Sequence, residues 1–267
     1  MTRACRKLLL APALAALTLA ACACPPACAA EQPPATDRNP LSQARRLLDG
    51  ACTHERKGEL AAAAGDLEAA AALLPEWAPP RALLGRVYQL QGREADARAQ
   101  YQTYQFLGLL EHGDDQNSDL MLKIAEAEAL LVYRINHERL RRGLKALLPS
   151  IDLSRMARGH SREMRDLGYF SHTSPRREHQ TMSDRFERIF GEKPRCLAEN
   201  VSRRGGSLYS FTIDNIEDSH HRLMVSDAHR RSILWEKVDR VGVGIAVNER
   251  GDYWLTENFA SEIGPGK

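Results

Sequence analysis

The chain has 267 residues, 43% of them hydrophobic and 27% charged, which suits an ordinary globular protein of one or two domains. Lys and Arg total 37 against 35 Asp and Glu, a net charge of +2. That balance excludes the electrostatic footprint of a nucleic-acid binder and a polybasic membrane surface. Beyond the N-terminus no apolar run reaches the roughly 20 residues needed to cross a bilayer, which excludes a multispan membrane protein.

At the N-terminus, Arg3, Arg6 and Lys7 precede an apolar stretch from Leu8 to Ala21. This is the charged and then hydrophobic pattern of a secretory leader, here assigned to residues 1–30. Leu19-Ala20-Ala21-Cys22 resembles a lipobox, with Cys22 the lipidated residue, while Ala27-Cys28-Ala29-Ala30 offers an ordinary cleavage site. Both readings predict an extracytoplasmic protein: periplasmic, secreted, or a surface lipoprotein touching the membrane only through its anchor. Cys5, Cys22, Cys24 and Cys28 fall in the leader, leaving Cys52 and Cys196 in different modules. Two such cysteines make no disulfide framework.

A Pro-containing linker, residues 31–40, leads into an Ala- and Leu-rich segment at 41–110 that reads as helix. Gly58 and Gly92 stand 34 residues apart, each at a turn, and 34 is the tetratricopeptide period. Leu84-Gly85, Tyr88, Ala97 and Tyr101 fall on the small and aromatic positions of that repeat. One period earlier, Ala63, Leu67, Ala70 and Pro75 occupy the matching slots. The segment resembles two TPR units, fewer than the three or so of a free-standing array, so it is expected to pack against the second module or a protein partner.

The stretch from His112 to Ser118 is polar and breaker-rich, and a second module is placed at 119–262. Leu120, Ile124, Ala127, Leu131 and Ile135 mark the buried stripe of a helix to about Arg142, closed by Gly143. A second helix is predicted from about Asp152 to Leu167, with Gly168 as its stop, and a third from Asp214 to Val225. The period then changes to two. Val241, Val243, Ile245 and Val247, a turn at Asn248 to Gly251, and Tyr253 to Phe259 predict a terminal β-hairpin with one buried face. Helices followed by a hairpin give an α+β fold.

Common catalytic signatures are missing. His137-Glu138 lacks the second histidine of a zincin, with Arg141 in its place; Gly242 and Gly244 lie in a strand pattern, and no serine sits in a G-x-S-x-G turn. There remain His172, Glu199-Asn200 and His229. Two imidazoles and a carboxylate suit a divalent transition metal, though spacing alone does not bring them together. His160, on an apolar stripe, reads as a core histidine. His220-His221 are adjacent on a helix, so at most one faces any cleft.

Along 120–260 the chain shows, in order, Asn136-x-x-Arg139, Gly143 with Leu147, Leu153-x-x-x-Ala157, Gly168-Tyr169-Phe170-Ser171-His172, Glu199-Asn200, Ser226-x-x-His229-Arg230, Ile233-Leu234, Val241-Gly242-Val243-Gly244 and Asn258-Phe259-Ala260. This ordered set resembles the CAP superfamily of cysteine-rich secretory, antigen 5 and pathogenesis-related proteins, in its bacterial SCP-domain form. The resemblance implies an α-β-α sandwich and a cleft that binds zinc or another divalent cation in some members. By position, His172 and His229 match the two cleft histidines and Glu199 the acid of the Glu-Asn motif, with Asn200 and Ser226 lining the cleft. Ser226 occupies the place of a second acid, and Leu223 that of a Trp. Asp227 reads as a solvated or capping side chain. The resemblance implies an exported ligand-binding module for a lipid, glycan or peptide. The alternative is a metal-dependent hydrolase, with His172 and His229 holding the ion and Glu199 as general base.

Overall fold

The computed structural model describes residues 39–111, 118–206 and 208–261; the leader and the joint at 112–117 lie outside them. Four helices come first: α1 (Pro40–Lys57), α2 (Leu60–Leu73), α3 (Pro79–Leu90) and α4 (Glu94–Glu111). Asn39 caps α1 by accepting from the Leu41 N–H at 2.9 Å. Gly58 and Gly92, at φ 77° and 74°, turn the two hairpins in the left-handed conformation that glycine adopts without a Cβ penalty. Gly85 shows why that position is small: a Cβ there would lie 2.6 Å from the ring of Tyr101. Tyr101 and Ala97 are themselves fully buried.

The second part contains α5 (Ser118–Leu140), β1 (Leu148–Pro149), α6 (Ile151–Leu167), α7 (Met182–Phe190), β2 (Leu197–Arg204), α8 (Ile213–Val225), α9 (Asp227–Ile233), β3 (Arg240–Val247) and β4 (Tyr253–Ala260). Ser150 caps α6 and Gly168 ends it at φ 69°; Thr212 caps α8. The strands form one sheet in the order β1-β3-β4-β2, with β1 parallel to β3 and the other pairs antiparallel.

The expected hairpin is therefore the middle of a four-stranded sheet, and both its faces are covered: every residue of β4 is buried. Glycines explain the second face. A Cβ on Gly242 or Gly244 would lie 2.2 and 2.0 Å from the α6 backbone at Leu153 and Arg158, so α6 rests directly on β3. Ser161 of α6 is 2.8 Å from both the Gly244 carbonyl and the Thr256 hydroxyl. Across the sheet, Tyr253 reaches α8 through the Ser219 hydroxyl and Asn215 carbonyl, each at 2.7 Å.

The helical hairpins and the sandwich share one apolar core. Leu67, Tyr88, Tyr101 and Leu109 cluster with Leu130, Ile135, Val243 and Phe259. Polar ties cross the same boundary. Gln89 donates to the Tyr133 carbonyl at 2.8 Å, and the Tyr104 hydroxyl to the Pro149 carbonyl at 3.0 Å. Deepest is the pair of Arg158 (2% exposed) and Glu128 (0%). The Arg158 guanidinium donates to both Glu128 oxygens and to Gln105 Oε1 at 2.9 Å, while the Ile245 N–H donates to Glu128 at 3.1 Å. One ion pair thus joins α4, α5, α6 and β3.

Candidate functional site

Strand alternation turns consecutive residues of β2 to opposite faces, and the Glu-Asn pair is divided in this way. Glu199 lies on the α6 face. Helix α7 opens with a capping box between Thr181 and Asp184 and packs Phe186, Met182, Ile189 and Phe190 against Leu153, Met156 and Ala260. This packing carries Arg185 inward, where its Nη2 donates to Glu199 Oε1 and Oε2 at 3.0 and 2.8 Å and to the His172 carbonyl at 3.2 Å. His172 Nδ1 donates to Glu199 Oε1 at 3.0 Å. Burial pushes the Glu199 carboxyl up, but the His172 hydrogen bond and the Arg185 charge outweigh it and hold it below the usual range. The hydrogen bond that His172 donates to Glu199 conversely raises the His172 pKa.

The loop presenting His172 is pinned from beneath. Glu163 of α6 accepts from the Ser174 hydroxyl, from His179 Nε2 at 2.9 Å and from the Tyr169 hydroxyl at 3.2 Å. His160, 1% exposed, is a hydrogen-bonded core histidine: its Nε2 meets the Ser171 carbonyl at 3.0 Å, and burial lowers its pKa.

Asn200 lies on the other face of the sheet. Its Nδ2 donates to the His229 carbonyl at 3.2 Å and to Glu257 Oε2 at 3.0 Å. Ser226, the residue before α9, brings its hydroxyl 2.8 Å from His229 Nδ1. Burial lowers the His229 pKa and the charge of His172 lowers it further. The five residues singled out in the sequence therefore form two linked groups, His172 with Glu199 and His229 with Ser226 and Asn200, joined through adjacent positions of β2 and through the field between the imidazoles.

Other sequence candidates lie elsewhere. Asp227 pairs with Arg230 on the surface. His220 is buried without a partner for either ring nitrogen among the described residues, and desolvation drives it down to about 4. Sequence reasoning missed Arg185 and Glu257. The signal for Arg185 was the capping box and apolar stripe of a nine-residue helix, and for Glu257 a lone acid in the alternation Tyr253, Leu255, Glu257, Phe259.

The donor set His172, His229 and Glu199 does not fit a metal ion. Both Glu199 oxygens already accept from a buried guanidinium, so a cation on that carboxylate would have to displace Arg185 or lie beside its charge. Among the described residues no group of three or more His, Cys, Asp or Glu is arranged to hold a metal.

Residues 132–259 match the cysteine-rich secretory protein, or CAP, family. This stretch of the chain belongs to the CAP family. The chain is also similar to YkwD, an uncharacterized protein of Bacillus subtilis, at 30% identity over 138 residues, 51% of this chain and 48% of the relative. The chain thus spans about half the length of the curated relative it matches. Among solved structures, an extracellular protein containing an SCP domain from Bacillus anthracis aligns at 24% identity and TM-score 0.44, covering 58% of this chain and 50% of that one. An outer surface protein of Borrelia burgdorferi aligns at 13% identity and TM-score 0.44, covering 51% and 93%. Within the CAP domain two of the motif residues prove to be structural. Asn136 exchanges hydrogen bonds with the Leu147 backbone at 2.9 and 2.7 Å, and Arg139 donates to the carbonyls of Lys145, Ile233 and Trp235.

Proposed function

We propose that the CAP domain is a ligand-binding module acting outside the cytoplasm, taking a lipid, glycan or peptide on the surface around Phe170, His172, Ser226 and His229. The observation that carries this reading is the presentation of His172. Its side chain is 55% exposed while its Nδ1 is anchored on buried Glu199, leaving Nε2 to meet a ligand oxygen. Phe170, 48% exposed two residues away, offers an apolar contact beside it. Glu199 favours binding over hydrolysis, because a carboxylate held low by Arg185 and His172 is a weak general base. Export through residues 1–30 and a lipid on Cys22 belong to the same reading; membrane attachment that survives Cys22→Ser in the native host would remove the anchor from it.

The test is an NMR titration of the His172 and His229 ring signals with laurate, chitotetraose and tetra-alanine. One of these probes is expected to shift both rings, with affinity falling about tenfold or more, 1.4 kcal/mol, in His172→Ala. Silence of both rings toward all three probes overturns the reading. Stoichiometric zinc uptake, lost in both His172→Ala and His229→Ala and accompanied by hydrolysis of a probe, would replace it with the hydrolase.

A further inference from the structure

Glu257 is 0% exposed, and its neighbours on the same face of β4, Leu255 and Phe259, are equally buried and apolar. Its register partners are Asn200 on β2 and Val243 on β3. One oxygen, Oε2, accepts from Asn200 Nδ2 at 3.0 Å. The other, Oε1, has no partner among the described residues, and neither has Asn200 Oδ1, also buried. Two acceptors are therefore left over on the two side chains that already share one hydrogen bond. Leaving both bare in an apolar interior would be costly.

A single proton removes both deficits. A neutral carboxylic acid facing a primary amide closes a cyclic pair in which the amide N–H donates to one acid oxygen and the acid O–H to the amide oxygen. We propose that Glu257 is held as the neutral acid in such a pair with Asn200, and that this pair is a proton-dependent latch positioning Asn200 and, through it, His229. The proton lies on Oε1 and points to Asn200 Oδ1. Asn200 Nδ2 is then committed to Glu257 Oε2 and the His229 carbonyl together, which seats the start of α9 against β2. Loss of the proton to solvent leaves a buried anion with one amide donor, and the hold on His229 loosens.

The surroundings agree. Burial pushes Glu257 up to about 7, with the Asn200 hydrogen bond as the opposing influence. The titratable groups of the elements packed on this face, Glu138 and Arg139 on α5, Glu217 and His220 on α8 and His229 on α9, exert no resolved effect on it. Arg185, the cation that holds Glu199 ionised, serves the opposite face. This inference concerns the internal support of His229 and does not depend on any ligand being bound.

The experiment is NMR on the full chain with labelled glutamate, following the Glu257 side-chain carboxyl carbon, the Asn200 amide and the His229 ring from pH 5 to 9. The carboxyl carbon is expected to remain in its neutral-acid position at pH 5.5 and to titrate with a midpoint near 7, moving the Asn200 amide and His229 signals with the same midpoint. In Glu257→Gln, where an amide supplies the same donor at every pH, that step should vanish and the low-pH spectrum of Asn200 should persist to pH 9. A carboxyl midpoint in the ordinary range below 5, or an Asn200 amide that does not follow the step, overturns the proposal. No ligand enters the measurement, so its failure is distinct from that of the proposed binding function.

Discussion

Two buried glutamates lie on adjacent strands with opposite partners, and the difference decides how each responds to pH. Glu199 has a guanidinium and an imidazole; Glu257 has one amide. For Glu199 the folded pKa lies below the ordinary value, so its stabilisation is present above that value and lost as pH falls. For Glu257 the folded pKa, about 7, lies above the ordinary 4.5. Its contribution is full below 4.5 and disappears as pH rises through 7, on the order of 3 kcal/mol across the window. Denaturant unfolding at pH 5 and pH 8 should therefore show Glu257→Gln gaining stability over the wild type at pH 8 and little at pH 5. Arg185→Met should do the reverse of a stabilising change: it strands the Glu199 carboxylate, costing about 3 to 5 kcal/mol. It should also raise the Glu199 pKa, which a carboxyl-carbon titration would detect. No gain at pH 8 in the first variant would mean that Glu257 is not neutral in the folded state.

The elements are held together by close approach and by ion pairs, of which Glu128–Arg158 is the most deeply buried among the described residues. Helix α6 meets β3 without side chains between them at Gly242 and Gly244. Gly244→Ala would drive a Cβ into the Arg158 backbone, and overpacking of this kind costs at least about 1 to 3 kcal/mol; a thermal melt should show a clear drop. The Glu128–Arg158 pair offers a sharper test because both members are buried. Arg158→Met alone should lose about 3 to 5 kcal/mol, while Glu128→Leu combined with Arg158→Met should recover most of that loss, since replacing both charges removes the stranded anion. A double variant as unstable as the single one would mean that the bonds to Gln105 and Ile245, not the charge pairing, hold this junction.

At the scale of the whole molecule, the residues on either side of the joint form one core, in which Tyr101 and Leu109 lie with Ile135 and Phe259. A fragment beginning at residue 118 would expose the α5 surface that α4 covers, together with the Tyr133 and Pro149 carbonyls that Gln89 and Tyr104 satisfy. Calorimetry of residues 39–261 should show one cooperative transition for helices and sandwich together. The fragment 118–261 should melt well below it or bind a hydrophobic dye at room temperature. Two separate transitions would show that the shared core is too weak to couple them.

The helices with strong amphipathic stripes and caps, α6 and α8, were legible from residue order because periodicity and capping are local properties. So were the glycine turns at 58, 92 and 168, where one residue type meets a positive φ. The pairing of His172 with Glu199 rested on the family resemblance, since separation along the chain carries no distance. Strand β2 escaped notice because, buried only at Glu199 to Val201 and carrying Glu199, Asn200 and three arginine or serine residues, it shows no clean alternation. Only the tertiary structure decided that Arg185 closes over Glu199, that Gly242 and Gly244 serve helix contact, and that Glu257 faces Asn200. Each depends on which elements meet across the sheet, and a side chain's partner, unlike its periodicity, is set by residues distant in sequence.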